Sequence, residues 1–219
     1  PWMLAEEPEW KVVYDAKLDY NVSYWIFKLR DDIYFSDGVQ MTADDLVFTY
    51  DFIKWAEPEW AVELNRMLIN VTKVDDYTVR VFLNTTGFIS ARYAMMIVYP
   101  KHIYEKAETW GGPEGEVFPD WEVTPTMVRE YRAQSAADPI LTGYGPFKLV
   151  AWYPEDKPCT EATTFILERN PSYFMRAVDE AGNIEWPWHE LTPEYVEKYG
   201  VDALRGPYVK QIKYKVIIE

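Results

Sequence analysis

The chain of 219 residues is 48% hydrophobic and 26% charged, a balance typical of a folded protein rather than a disordered one. Its 22 Lys and Arg against 36 Asp and Glu give a formal net charge of −14, which argues against nucleic acids and anionic membrane surfaces as partners. One cysteine, Cys159, excludes an internal disulfide framework, and two histidines supply too few ligands for an ordinary zinc site. We therefore expect neither a metal nor a cofactor.

The first part of the chain combines a strand pattern with a helix start. Residues 23–30 alternate apolar and polar side chains, which predicts a half-buried strand. Thr42, followed three positions later by Asp45, predicts the N-terminus of a helix that runs to Lys54. Asp44 and Asp45 could form a catalytic pair, but stabilisation of the positive end of the helix is the favoured interpretation.

The rest of the chain mixes short strand and helix patterns separated by turn signals. Strands are predicted at residues 68–74, 77–83, 146–153, 163–169 and 209–218, the last with one face in solvent. Helices are predicted at residues 88–98, 100–106, 124–133 and 192–200. Residues 110–120, rich in Gly, Pro and acids, predict a surface loop. Because strands and helices mix without regular βαβ alternation, the fold class is α+β, or mixed α/β.

Sequence motifs for catalysis are missing. The chain has no nucleophile elbow, phosphate-binding glycine loop, HExxH motif or dinucleotide fingerprint, so we expect no enzyme. Its many carboxylates leave a glycoside hydrolase as an alternative, which requires two acids about 5–9.5 Å apart in a cleft. The 10 Trp, 17 Tyr and 10 Phe favour core packing, and they also suit sites for peptides or sugars.

Several motifs occur in the same order and at similar spacing as in one protein family. They are residues 4–10 (LAEEPEW), 24–30 (YWIFKLR), 33–38 (IYFSDG), 41–48 (MTADDLVF), 100–104 (PKHIY), 143–149 (GYGPFKL), 167–174 (LERNPSYF) and 207–214 (PYVKQIKY). From about residue 4 to its end, the chain resembles the oligopeptide- and dipeptide-binding family of ABC-importer solute-binding proteins, known as solute-binding protein family 5.

The resemblance implies a periplasmic-binding-protein-like type II fold, in which two lobes are hinged around a buried ligand. Members of this family are typically more than twice as long, and an extra domain is inserted in their first lobe. The resemblance therefore implies that residues 1–138 are this family-specific extra domain and that residues 139–219 are part of the first lobe. The second lobe would be absent, so that the chain is a fragment of a receptor.

The resemblance also implies capture of a ligand without catalysis. The expected protein is an extracytoplasmic receptor, periplasmic or on the cell surface and membrane-anchored at full length, that delivers oligopeptides to the permease of an ABC importer. The ten tryptophans keep an oligosaccharide as an alternative ligand, because sugar faces stack on indole. We expect a monomer, and we expect the fragment alone to bind small ligands weakly or not at all.

Two aromatic residues are the candidate ligand-binding residues of this fragment. Trp60 follows the helix that begins after residue 42, and Tyr144 lies in the GYGPFKL motif, where the family usually has Thr. A tyrosine at this position would enlarge a stacking surface. For each residue, packing in a core or hinge is the alternative interpretation, and the flanking Gly143 and Gly145 are expected to shape the chain rather than to contact a ligand.

Overall fold

The structure, a computed structural model, describes residues 3–5, 7–87, 97–173 and 209–216. The chain forms two compact units, of which the first contains residues 1–31 and 41–131 and the second contains residues 32–40 and 132–219. The second unit therefore combines the short segment of residues 32–40 with the chain from Arg132 onward. The assignment of residues 1–138 and 139–219 to an extra domain and a first lobe stays a prediction.

The first unit is built on an antiparallel sheet of four strands in the order β1-β2-β4-β3. The strands are β1 (Glu9–Asp15), β2 (Tyr20–Lys28), β3 (Leu68–Asp75) and β4 (Thr78–Leu83). The predicted strand at residues 23–30 and the predicted hairpin at residues 68–83 are confirmed. The Asp75 carboxylate accepts a hydrogen bond from the Tyr77 N–H at 2.9 Å, which holds the tight turn between β3 and β4.

One face of this sheet is covered by the helix α1 (Ala43–Ala56), which packs against β3 and β4. On that face Trp25 and Phe27 of β2 lie opposite Val81 and Val79 of β4, and all four side chains are buried. Helix α1 confirms the helix that the sequence predicts after Thr42, and it continues two residues beyond the predicted end at residue 54. Alternation along β2 thus places its apolar residues in the core.

Among the described residues, the first unit also contains three shorter helices: α2 (Val62–Met67), α3 (Lys101–Tyr104) and α4 (Pro125–Glu130). Helix α4 begins as predicted, since the Thr124 hydroxyl accepts a hydrogen bond from the Met127 N–H at 3.2 Å. It ends earlier than predicted because Tyr131 leaves the helical backbone conformation. The ring of Tyr131 packs edge-on against Trp110, with 5.5 Å between centroids. The helix predicted at residues 192–200 and most of the one predicted at 88–98 lie outside the described residues.

Aromatic rings fill the core of the first unit around Phe52 of α1. Their centroids lie 5.4–6.4 Å from that of Phe52, and they belong to Phe48, Trp55, Tyr99, Tyr104, Trp110, Phe118 and Trp121. Residues 110–120 form the predicted irregular segment, but it is not simply a surface loop. Trp110 is buried and Phe118 is half-buried, so the aromatic side chains of the segment pack in the core. Much of the aromatic content therefore serves packing.

The second unit contains an antiparallel sheet of three strands in the order β5-β6-β7. The strands are β5 (Phe147–Tyr153), β6 (Thr164–Arg169) and β7 (Gln211–Lys215), which confirms the strands predicted in this region. The predicted burial of one face of the last strand is wrong. Ile212 and Tyr214 are 37% and 60% exposed, and all five residues of β7 are exposed, because no described element packs on either face of this strand.

Candidate ligand-binding site

Within the second unit, the GYGPFKL motif is bonded to the turn at residues 36–38. The Ser36 N–H donates to the Gly143 carbonyl at 2.8 Å, and the Gly143 N–H donates to the Ser36 hydroxyl at 3.4 Å. The turn itself is closed by the Gly38 N–H, which donates to the Phe35 carbonyl at 2.9 Å, and Gly38 has a φ of 90° that favours glycine. Two of the motifs that carry the family resemblance therefore build one local structure.

Tyr144 lies at this junction. Its ring packs edge-on against Phe35, with 6.2 Å between the centroids, and Phe35 is fully buried. Tyr144 is half-buried, so that part of its surface remains accessible. The residue thus has a packing role, and it also retains surface that a ligand could contact.

The Asn170-Pro171 pair of the LERNPSYF motif has a structural role. Asn170 is fully buried, and its side-chain amide donates to the Gly145 carbonyl at 2.9 Å. Its side-chain oxygen accepts from the Ser172 N–H at 2.9 Å, and its own N–H donates to the Pro146 carbonyl at 2.9 Å. These bonds satisfy a buried amide and hold the GYGPFKL motif in place, so the pair serves the local chain geometry.

Trp60, the other candidate, lies in the first unit. It sits in the 3-10 turn Glu59–Ala61 directly after α1, and it is 51% exposed. Its neighbour Ala61 is fully buried and anchors the turn. An indole that is half exposed on a rigid turn is available for stacking, because aromatic rings bind flat apolar or sugar surfaces at little entropic cost.

Asp44 and Asp45 do not act as a pair. The exposed Asp44 carboxylate lies 2.8 Å from the Lys73 ammonium, whereas Asp45 is buried and accepts hydrogen bonds from the Thr42 and Lys101 N–H groups at 2.8 and 2.9 Å. Burial raises the pKa of Asp45, and these two hydrogen bonds and the charge of His102 lower it in part. The two acids hold the start of α1, as the capping pattern predicted.

A cavity of about 320 Å³ lies in the second unit beside the turn at residues 36–38. Two acids line it, and both serve the backbone. The Asp37 carboxylate accepts from the Val39 N–H at 3.1 Å, and the Asp138 carboxylate accepts from the Ile140 and Gln134 N–H groups at 3.2 and 3.1 Å. These acids therefore stabilise a turn and a 3-10 helix start.

A groove of about 400 Å³ lies in the first unit, and we call it the Asp51 groove. It is lined by Asp44, Val47, Phe48, Asp51, Lys101, Phe118 and Pro119. Asp44 and Asp51 are seven residues apart on α1, which corresponds to about 10.5 Å along the helix axis. A glycoside hydrolase needs two available carboxyl groups, and the Asp44 carboxylate is already paired with the Lys73 ammonium at 2.8 Å.

Neither Trp60 nor Tyr144 lines either cavity. Sequence reasoning missed the Asp51 groove because α1, residue 101 and residues 118–119 come together only in the folded chain. Among residues 3–5, 7–87, 97–173 and 209–216, no group of three or more His, Cys, Asp or Glu side chains is placed to hold a metal ion. In the same residues, no helix is both long and apolar enough to span a membrane.

Comparison with known proteins decides the family. Residues 3–219 match the family model described as bacterial extracellular solute-binding proteins, family 5 Middle. The chain belongs to this family. Its members are extracellular binding proteins, which indicates an extracytoplasmic place for the family. A comparison with curated protein sequences gives no match.

Solved structures of solute-binding proteins share the fold of this family 5 chain. An oligopeptide-binding protein from Thermus thermophilus, solved with a pentapeptide, is 18% identical at a TM-score of 0.55, and the match covers 98% of this chain and 33% of that chain. AppA from Bacillus subtilis, solved with a nonapeptide, is 23% identical at a TM-score of 0.52, with coverages of 94% and 30%. NikZ from Campylobacter jejuni, solved with Ni(L-His), is 18% identical at a TM-score of 0.51, with coverages of 78% and 28%.

These likenesses confirm the mixed α and β architecture and the type II periplasmic-binding-protein fold. The family 5 chain spans about a third of the length of these solved proteins. Peptides and a nickel–histidine complex, which differ in chemistry, occur on proteins of this one fold, so the fold alone does not select a ligand.

Proposed function

We propose that this chain is part of an extracytoplasmic receptor that captures oligopeptides and delivers them to the permease of an ABC importer. The observation that carries the proposal is the match of residues 3–219 to the family 5 solute-binding proteins. The similar proteins from Thermus thermophilus and Bacillus subtilis, which were solved with a pentapeptide and a nonapeptide, support peptides as the ligand class. Residues 1–138 would be the extra domain and residues 139–219 part of the first lobe.

In this proposal the receptor binds its ligand without transforming it. The ligand is enclosed when two lobes close, and its contacts with both lobes stabilise the closed state that the permease recognises. The engaged carboxylates beside residues 36–38 and the pairing of Asp44 with Lys73 support binding over glycoside hydrolysis. The full-length receptor would act as a monomer outside the cytoplasm, held near its permease by a membrane anchor.

Calorimetry tests the ligand class. We expect the full-length receptor to bind a pentapeptide saturably, with a dissociation constant in the micromolar range or tighter, and to give no heat with a short oligosaccharide. We expect the 219-residue chain alone to give no heat with the same peptide, because it would supply only one wall of the pocket. Micromolar binding of the peptide by the 219-residue chain would contradict this one-wall arrangement.

An oligosaccharide is the second candidate ligand, and the exposed indole rings favour it. Trp60 and Trp10 are 51% and 41% exposed, and sugar faces stack on such rings. Saturable heat with the oligosaccharide and none with the pentapeptide would replace the peptide proposal by this one.

The two candidate residues are tested in the full-length receptor. We expect Trp60→Ala and Tyr144→Ala each to weaken ligand binding about 2- to 10-fold, the effect of losing one aromatic contact worth ~0.5–1.5 kcal/mol. Trp60→Phe should retain most of the affinity because it keeps an aromatic face. Tyr14→Ala is the matched control, since Tyr14 is an aromatic residue of β1 that is 61% exposed. Unchanged ligand affinity in either alanine variant would show that the replaced residue does not contact the ligand.

A further inference from the structure

The Asp51 groove is the feature that the proposed receptor function does not use. It lies wholly within the first unit, has a volume of about 400 Å³, and contains neither candidate ligand-binding residue. Its size suits a small organic molecule rather than a single ion. The chemistry of its lining therefore indicates what it could hold.

Aromatic rings and a proline form the apolar part of the groove. Phe48 and Phe118 pack edge-to-face with 5.7 Å between their centroids, and Phe118 is only half-buried. Pro119 beside them is exposed. The face of an aromatic ring attracts cations, most strongly planar ones that stack on it.

The charged side chains of the groove differ in whether they already have a partner. Asp44 is paired with Lys73 at 2.8 Å, and the Lys101 ammonium lies 3.8 Å from the Glu105 carboxylate. Asp51 forms no salt bridge with any residue that the structure describes. Asp51 is exposed, so its carboxylate is accessible to a ligand from solvent. Partial burial raises the pKa of this carboxyl group, and the charge of Lys54 lowers it in part.

We propose that the Asp51 groove is a second binding site, which takes the guanidinium group of a small organic cation. The guanidinium would pair with the Asp51 carboxylate and stack on the ring of Phe118. A guanidinium fits better than an ammonium, because its planar fork binds a carboxylate through two N–H groups while its face lies on an aromatic ring. The net charge of −14 would add long-range attraction for such a ligand.

The test is a titration of the 219-residue chain with N-acetylarginine amide, followed by the backbone amide signals in NMR spectra. N-acetylcitrulline amide is the matched ligand, because it has nearly the same shape and lacks the positive charge. We expect saturable shifts at Phe48, Asp51, Lys101 and Phe118 with a dissociation constant on the order of 1 mM for the arginine compound. We expect no saturable shift for the citrulline compound.

Two variants separate the groove from the general acidity of the chain. D51N should weaken binding about tenfold, since the pairing partner is lost. E114Q removes the same charge from an exposed position outside the groove, and it should change the affinity less than twofold. Equal binding of both ligands, or equal loss of affinity in the two variants, would overturn the proposal. The comparison of the two ligands uses the unaltered chain, so it tests the proposed guanidinium site even if D51N does not fold.

Discussion

Replacing Phe52 with alanine is expected to lower the free energy of unfolding of this chain by about 3–5 kcal/mol. Phe52 is 3% exposed on α1, and seven other aromatic rings surround it at 5.4–6.4 Å. The substitution removes a buried ring and leaves a cavity that rigid neighbouring rings cannot fill by small movements. Several edge-to-face contacts, each worth ~0.5–1.5 kcal/mol, are lost with it.

Phe82→Ala is the matched control for this prediction. Phe82 lies on β4 of the same unit and is half-buried, and its one close ring neighbour among the described residues is Tyr24 at 5.6 Å. Its loss should cost about 1–2 kcal/mol, since less apolar surface is buried there. Urea unfolding of the two variants and the unaltered chain measures both effects. An equal cost for the two substitutions would mean that the aromatic cluster does not dominate the stability of the first unit.

The parts of the fold that could be predicted are those fixed by residues close in sequence. The helix start at Thr42 and Asp45 is local, and so is the hairpin turn at Asp75, where a side chain bonds the N–H two residues on. The alternation along β2 is equally local. Each of these elements depends on a spacing of two to four residues, which can be read without knowledge of the rest of the chain.

The elements that were missed or wrong depend on contacts between distant residues. Strand β1 was not predicted, because its residues are nearly all exposed and it is held by pairing with β2. The apolar alternation in β7 predicted a buried face, but an edge strand gains burial only from what packs on it. Residues 110–120 have the composition of a loop, and only the folded chain places Trp110 and Phe118 among the core rings.

The candidate binding residues likewise include some that the sequence could indicate and some that only the folded chain brings together. The family resemblance led to Trp60 and Tyr144, and the structure places one on an exposed turn and the other against Phe35. The family resemblance could not lead to the Asp51 groove, since Asp51 and Phe118 are separated by more than sixty residues in sequence. A carboxylate without a salt-bridge partner is recognisable only when its neighbours in space are known.

The second large effect is expected at Asp45, the buried acid at the start of α1. Asp45→Ala should lower the free energy of unfolding by about 2–4 kcal/mol, because the Thr42 and Lys101 N–H groups both lose their acceptor. Asp45→Asn keeps one carbonyl oxygen and should cost less. Urea unfolding at neutral pH measures both variants. A cost below that of a surface substitution for Asp45→Ala would contradict the role of this acid.

The pH dependence of this effect follows from the raised pKa of Asp45. Since burial lifts the pKa in the folded state above the ordinary 3.8, the folded state binds this proton more tightly than the unfolded state does. The part of the folded-state stability that is linked to this proton is therefore complete below pH 3.8 and is lost as the pH rises through the folded-state pKa, whereas the hydrogen bonds from the Thr42 and Lys101 N–H groups remain at neutral pH. The stability of the unaltered chain, measured relative to Asp45→Asn, should accordingly fall as the pH is raised from about 3 to about 7. A relative stability that rises over this range would mean that the hydrogen bonds from Thr42 and Lys101, and not burial, control the ionisation of Asp45.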